Sequence, residues 1–223
     1  MAEINIHSLL LQLQKLVLPH RAIITRLLSI ASWLLLLTWF GAYWLYSIGK
    51  TSDVSLLLDI GRKLGTLAFG SYVLTLLPGM IKRLKYAVLM PIMSILLPFR
   101  RQFGVLMFIT AFVHQYFTTT LPYLVLIDFN FSKFTPQLLT HQIVGFLAWW
   151  LLLPLWLTSN DLAVKKLGKW WKRIHRLTYV AIFLIMAHVA LVDHWLYAVI
   201  LVGILMGNGW GLVREKKTAS STL

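Results

Sequence analysis

The chain has 223 residues, of which 59% are apolar and only 13% are charged, and its mean hydropathy is +0.76. A soluble domain of this size carries about 25% charged residues, so the composition excludes an ordinary water-soluble fold. There is no cysteine, which excludes disulfides, thiolate metal sites and iron–sulfur clusters. A net charge of +14 is typical of nucleic-acid binding in soluble proteins. Here the basic residues lie between apolar runs, so we predict no nucleic-acid partner.

Several apolar segments approach the ~20 residues that a helix needs to cross the hydrocarbon core of a membrane. Backbone polar groups cannot remain unpaired in lipid, so a helical bundle is the natural solution. The sequence therefore predicts an all-α integral membrane bundle of about six transmembrane helices, surrounded by membrane lipid. We predict that the second helix is short and ends at Pro78-Gly79, and that Pro122 bends the far end of the third. The predicted spans are 27–47, 64–80, 103–127, 141–157, 174–192 and 195–213.

The distribution of Lys and Arg predicts an orientation. Seventeen of the 21 basic residues lie in the N-terminal segment, in 81–102, in 158–176 and in the C-terminal tail. The loops on the other side hold Lys50, Arg62, Lys63 and Lys133. Because cytoplasmic loops are enriched in basic residues, both termini are predicted to be cytoplasmic. The chain then divides into a cytoplasmic or interfacial segment (1–26), a membrane domain (27–213) and a cytoplasmic tail (214–223).

Two segments are predicted to lie at the membrane surface. Tyr86 to Phe99 is apolar, but as a helix its 14 residues rise only about 21 Å, short of the ~30 Å core. We predict that 86–99 lies in the interface or re-enters the membrane. Residues 5–25 interleave leucines with polar side chains and are predicted to form a second surface helix.

Histidines inside the apolar spans point to a function. His114 lies about a dozen residues into the third predicted span, and His188 lies at a similar depth in the fifth. An ionisable residue at such a depth is costly and is a functional hypothesis by default. Two imidazoles at one level on neighbouring helices can bind a haem iron from both sides. The alternative for either residue alone is a hydrogen bond between helices.

His175 lies 13 residues before His188, which places it roughly 20 Å away along a helix, at the cytoplasmic start of the fifth span. In a straight helix, steps of about 100° leave these side chains some 140° apart. They would point in different directions unless the helix bends or the haems that they serve are offset. A histidine of the membrane interface is the alternative for His175. His141 and His194 begin the fourth and sixth spans on the outer side, where a functional role stays open.

Two stretches of the sequence resemble a known family. The first is Arg100-Arg101-x-x-Gly104 followed by His114, and the second runs from Lys166 to His175 and is followed by His188. Both are similar to the ferric reductase-like transmembrane domain. Within that family, the likeness is greatest to haem-binding membrane subunits of periplasmic methionine sulfoxide reductase systems. The resemblance covers roughly residues 60–195.

The resemblance implies haem b, one or two per chain. His114 and His188 would ligate one haem, and His175 would serve a second, inner site. Arg101 stands near the position where related proteins carry the opposite histidine, so either the inner haem is absent or a less usual ligand completes it. The resemblance also implies a bacterial inner (plasma) membrane location.

The resemblance further implies electron transfer from quinol or a cytoplasmic flavin reductase, with FMN or quinone as a further cofactor, to a periplasmic molybdopterin reductase. No glycine-rich dinucleotide fingerprint occurs in the sequence, so electrons are expected from a separate donor. An inner basic surface could bind a flavin phosphate, haem propionates or an acidic partner. Its residues are Lys165, Lys166, Lys169, Lys172 and Arg173.

Two other functions remain open at this point. A stand-alone reductase of ferric iron or oxygen would keep the haem and act at the outer face. A membrane transporter or assembly factor without haem would leave the purified protein colourless.

Overall fold

The computed structural model describes residues 6–49, 53–133 and 139–220, and every regular element within these ranges is helical. Lys50 and the outermost residues of the predicted N-terminal segment and tail lie outside the described residues. The helices are α1 Ile6–Val17, α2 Arg21–Gly49, α3 Ser55–Leu84, α4 Met90–Leu96, α5 Arg100–Gln115, α6 Leu121–Leu126, α7 Thr140–Leu157, α8 Asp161–Leu167, α9 Lys169–His175, α10 Leu177–Leu191 and α11 Trp195–Ser220.

Six stretches of the described residues are helical, long and apolar enough to cross a membrane. They are Ile6–Gly49, Ser55–Leu84, Ala87–Leu126, Thr140–Leu157, Lys169–Leu191 and Trp195–Arg214. The prediction of an all-α bundle with about six spans is therefore confirmed.

The predicted end of the second span is wrong. α3 continues through Pro78 and ends only at Leu84, where Lys85 adopts the left-handed conformation with φ of 55°. Proline is tolerated inside a membrane helix when neighbouring groups compensate for the backbone bond it cannot make. Pro78 is buried, and α11 lies directly against the end of α3. A Cβ added at Gly211 of α11 would lie 2.6 Å from the Cβ of Arg83, so tertiary packing overrides the local proline signal.

The N-terminal boundary also differs from the prediction. A 3-10 turn at Leu18–His20, which contains Pro19, splits the predicted surface helix, and α2 begins at Arg21 rather than near residue 27. The 86–99 segment contains the short helix α4 between two 3-10 turns, and α4 packs against α1 and α3. Its seven residues rise only about 10 Å. α4 by itself is therefore too short to cross the core, and the chain continues from it through a 3-10 turn into α5.

Two spans are interrupted beside histidines. After α5 the chain forms a π-helical turn at Tyr116–Thr120, two residues beyond His114, and the irregularity ends at α6, which carries Pro122 at its start. Such turns are rare in proteins as a whole, and those that occur often lie at functional sites. The fifth span is interrupted at Arg176, between α9 and α10. This one-residue interruption lies directly after His175, between His175 and His188.

Five helices enclose the centre of the bundle. α3 packs against α5 and α11, α10 packs against α7 and α11, and α5 packs against α7, while α2 covers the outside of α5. The hydroxyl of Tyr72 on α3, only 1% exposed, donates to the carbonyl of Thr178 on α10 at 2.7 Å. This bond ties α3 directly to α10 across the interior of the bundle.

We predict that Tyr72→Phe lowers the stability of the bundle by about 0.6 to 1 kcal/mol, the usual contribution of such a bond in membrane proteins. The expected drop in melting temperature is about 2 °C, measured by thermal unfolding in detergent. Tyr116→Phe is the matched control, because the described residues offer no partner to that buried hydroxyl. An equal drop in both variants would contradict the role given to the Tyr72 bond.

Candidate functional site

His114 is held by the helix next to its own. Its Nδ1 lies 2.7 Å from the carbonyl oxygen of Gly61 on α3. A carbonyl oxygen can only accept a hydrogen bond, so in the neutral ring Nδ1 carries the proton and Nε2 keeps its lone pair. The ring lies over Gly65, where an added Cβ would come within 2.9 Å of Nδ1. The imidazole is therefore fixed in tautomer and orientation, with its metal-binding nitrogen available.

His188 is held in the same manner by a different helix. Its Nδ1 lies 2.8 Å from the carbonyl oxygen of His141 at the start of α7. The ring lies over Gly145, where an added Cβ would come within 2.8 Å of Nδ1. By the same reasoning Nδ1 carries the proton and Nε2 is the free acceptor. His141 therefore contributes its backbone carbonyl as a hydrogen-bond acceptor for His188. Sequence reasoning missed this contribution.

The structure brings the two imidazoles together. Their ring centroids are 6.4 Å apart and their planes are inclined by 74°. With metal–nitrogen bonds of about 2 Å on each side, two imidazoles on one metal ion have centroids roughly 6 Å apart. Within the described ranges, no group of three or more His, Cys, Asp or Glu side chains could hold a metal ion. The pair therefore suits the two axial positions of a haem iron, whose remaining ligands belong to the porphyrin.

Stacked aromatic side chains connect the level of this pair with the end of the bundle that contains His175. The ring of Phe112, two residues before His114, lies 5.6 Å from that of Trp149. Phe108 stacks on Trp149 at 5.1 Å and on Trp156 at 4.8 Å. Sequence reasoning missed this column, because its members come from α5 and α7 and meet only through the packing of those helices.

His175 is held by different contacts. Its Nε2 lies 3.1 Å from Oγ1 of Thr158, whose hydroxyl donates to the carbonyl of Pro154 at 2.7 Å. The Thr158 oxygen is then an acceptor, so Nε2 of His175 donates to it. The ring of Trp171 stacks on His175 with centroids 4.0 Å apart. His175 and His188 thus contact residues at opposite ends of α7, an arrangement that the break at Arg176 permits.

A cavity of about 540 Å³ lies beside His175, within the size range of small-molecule sites. Four cations line it, namely Arg100, Arg101, Lys172 and Arg176, together with the aromatic side chains of Phe108, Trp156 and Trp171. Of the five residues predicted to form the inner basic surface, only Lys172 lines this cavity. The other three cations of the cavity, Arg100, Arg101 and Arg176, come from the start of α5 and from the junction of α9 and α10.

Arg101 lines the same cavity as His175, but its guanidinium is already paired. It donates to Oδ1 of Asp161 on α8 at 2.6 Å. The structure therefore places Arg101 and His175 at one cavity without showing the guanidinium directed at the imidazole. Among the other histidines, the His141 ring lies 6.3 Å from that of His188, and His194 lies beside Tyr197.

Six candidate membrane spans and a pair of half-buried imidazoles held between helices of the bundle define the class as a helical integral membrane protein with two candidate metal ligands. A family model described as "Ferric reductase like transmembrane component" matches residues 64–186. The chain belongs to this family, as its sequence predicted, and is a multi-pass integral membrane protein. The match includes Arg101, His114 and His175 and ends two residues before His188.

Individual proteins with similar sequences show which members of the family this chain resembles. The chain is similar to the protein-methionine-sulfoxide reductase heme-binding subunit MsrQ of Brucella ovis, Brucella canis and Brucella suis. Each is 32% identical over 194 residues, which cover 82% of this chain and 81% of the relative. No solved structure matches the chain.

The ion pair at the cavity mouth makes one pH-dependent prediction. The hydrogen bond and charge of Arg101 hold the pKa of the exposed Asp161 carboxyl below its usual range. Because the folded pKa is lowered, the pair stabilises the protein above the unfolded pKa of Asp161, and this contribution is lost as pH falls through the folded pKa. Solvent screening keeps the contribution small. We expect Arg101→Gln to raise the pKa of Asp161.

The measurement is a titration of ¹³C-labelled aspartate side chains by NMR in detergent, which is practical because the chain has only seven acidic residues. Lys165→Gln is the control, since Lys165 lowers the pKa of Asp161 less than Arg101 does. A pKa for Asp161 that is unchanged by Arg101→Gln would show that the pair does not form in solution.

Proposed function

We propose that this chain is a haem b electron-transfer protein that carries electrons across a membrane, with His114 and His188 as the axial ligands of its haem. The observation that supports this most strongly is the meeting of two imidazoles at 6.4 Å, each with Nδ1 bonded to a backbone carbonyl. The relatives named as heme-binding subunits support the same assignment.

The haem would supply one-electron chemistry, and the residues of this chain would tune it. A carbonyl that accepts the Nδ1 proton raises the basicity of the ligating imidazole and fixes its plane. The chain neighbours of the two histidines, Val113 at 0% and Val189 at 7% exposure, are buried in the apolar core. Exclusion of water and the donor strength of the ligating side chains are factors that set the reduction potential of a haem.

We propose that the cavity beside His175 is the electron-accepting end of the protein. Its four cations complement a flavin phosphate or haem propionates, and Trp156 and Trp171 offer flat apolar surfaces to a ring system. A second haem, FMN or quinone would be held there by His175 and by Arg101, once Arg101 exchanged Asp161 for the ligand. The aromatic column of Phe108, Trp149 and Phe112 links this end to the histidine pair.

The direction of transfer follows from the proposed topology. The basic clusters at 81–102 and 158–176 support a cytoplasmic position for the cavity and for both termini. Quinol or a cytoplasmic flavin reductase would then donate electrons, and a periplasmic molybdopterin reductase would accept them across a bacterial inner membrane. The relatives, which are subunits of a methionine sulfoxide reductase, support such an acceptor. The domain limits we propose remain 27–213 for the haem-binding part, between the segments 1–26 and 214–223.

The family description favours a second candidate, in which the chain itself reduces ferric iron at the outer face. Ferric reduction by the purified protein, without any other polypeptide, would support this candidate over a subunit that needs a protein acceptor.

We predict that the purified protein has the spectrum of a reducible low-spin haem b, and that His114→Ala or His188→Ala removes most of it. The reason is that loss of one axial imidazole leaves the iron with a single protein ligand. A pyridine haemochrome assay with protein quantitation measures haem per chain, and His20→Ala is the surface control. Full haem content in both variants would contradict the proposed ligands, and colourless wild-type protein would favour a transporter or assembly factor.

A separate prediction addresses the cavity. Asp161→Asn removes a competing carboxylate and frees Arg101, so we expect the protein to bind FMN more tightly, by about two- to five-fold, since an exposed ion pair contributes up to about 1 kcal/mol. The measurement is quenching of FMN fluorescence. Asp59→Asn is the matched control, because it also breaks a surface ion pair, with Lys63 at 2.7 Å. Equal effects of both variants would mean that FMN does not use Arg101.

A further inference from the structure

Both imidazoles rest on the same local arrangement of backbone. On α3 the acceptor is the carbonyl of Gly61 and the ring lies over Gly65, and on α7 the acceptor is the carbonyl of His141 and the ring lies over Gly145. In each case the acceptor is a residue n of a helix and the glycine is residue n+4. The two helices carry unrelated sequences at these places, so the shared feature is the spacing.

Helix geometry explains why residue n+4 is glycine. In an α-helix each Cα–Cβ bond tilts toward the N-terminus, so the side chain of residue n+4 covers the turn that contains the carbonyl of residue n. A Cβ at residue 65 would lie 2.9 Å from Nδ1 and 3.0 Å from Cε1 of His114, and one at residue 145 would lie 2.8 Å and 2.9 Å from the same atoms of His188. Any side chain there would push the ring away from its acceptor.

The residue that supplies the carbonyl is different in the two places, glycine in one and histidine in the other. The residue under the ring is glycine in both. In α7 the acceptor position therefore carries a side chain without blocking the imidazole, whereas a Cβ under either ring would crowd it. Other glycines behave differently: a Cβ added at Gly70 or Gly203 would meet nothing within 4 Å, and one at Gly61 would meet Thr118 and Phe117 rather than an imidazole.

We propose that Gly65 and Gly145 are positioning residues that set the tautomer, tilt and basicity of the two haem ligands by keeping a helix carbonyl open to each imidazole. This inference rests on the proposed ligation of haem by His114 and His188. A bond from Nδ1 to a carbonyl makes the imidazole a stronger donor, which stabilises ferric over ferrous iron. The two glycines therefore hold the reduction potential below the value that the same ligands would give without these bonds.

The test compares Gly65→Ala and Gly145→Ala with the matched controls Gly70→Ala, in the same helix as Gly65, and Gly203→Ala in α11. For each variant we would measure haem per chain, the midpoint potential, the low-spin EPR spectrum and the rate of haem transfer to apomyoglobin. We expect the two test variants to lose haem about ten- to a hundred-fold faster, as when an outer-shell partner of a metal ligand is removed. Their potentials should rise and their EPR g values should shift, while both controls match the wild type.

Retained potential, EPR spectrum and haem transfer rate in both test variants would overturn the inference. Should the variants fail to accumulate in membranes, the wild type still provides a test. In its diamagnetic reduced form, ¹⁵N-histidine NMR should show an exchange-protected proton on Nδ1 of both ligand histidines, and its absence would equally overturn the inference. If His114→Ala and His188→Ala kept their haem, the proposed function itself would fail. If only those variants lost haem, the ligands would stand and the role of the glycines would not.

Discussion

The site depends on how a polar ring finds a hydrogen-bond partner in the apolar interior of a helical bundle. Water is scarce there, and almost every backbone carbonyl is already engaged within its own helix. Gly61 and His141 solve this by sharing a helical carbonyl with an imidazole from the adjacent helix. Because carbonyls accept and never donate, this one interaction fixes which nitrogen of each ring is protonated. The direction of each ring, its distance from the other and the chemistry of the pair all follow.

Close packing makes that interaction geometrically available. α3 and α5 approach so tightly that a Cβ on Gly61 would contact Thr118 at 2.8 Å. Small residues four positions apart, as at Gly61 and Gly65, are typical of helices that pack closely in membranes. The π-helical turn at Tyr116–Thr120 contains this contact, and the Thr118 hydroxyl donates to the carbonyl of His114 at 2.8 Å. Thr118 and the ring of His114 therefore both lie against Gly61 of α3.

Sequence reasoning reached the histidine pair because depth along a helix follows directly from residue count. His114 and His188 could be placed at one level without any knowledge of the packing. Rotation about the helix axis cannot be counted in the same way once a helix is interrupted, and so the orientation of His175 depended on the break at Arg176. The length of the second span was wrong for a related reason: the burial of Pro78 and the contact of Gly211 with Arg83 involve neighbours far away in sequence. The cavity beside His175 was likewise beyond reach, since its cations come from α5 and the α9–α10 junction.

The two histidines, each with the helix carbonyl that accepts its hydrogen bond, lie in different halves of the sequence, and this separation has a thermodynamic consequence. α3 and α5 belong to one half of the sequence and form one ligand with its support, while α7 and α10 belong to the other half and form the second. Neither half contains both His114 and His188, so a haem held by both residues would link the two halves of the bundle. Its binding free energy would count toward holding the halves together, since a ligand that binds only the assembled state stabilises that state. Cofactor supply and the lifetime of this protein in the membrane would then be linked quantities.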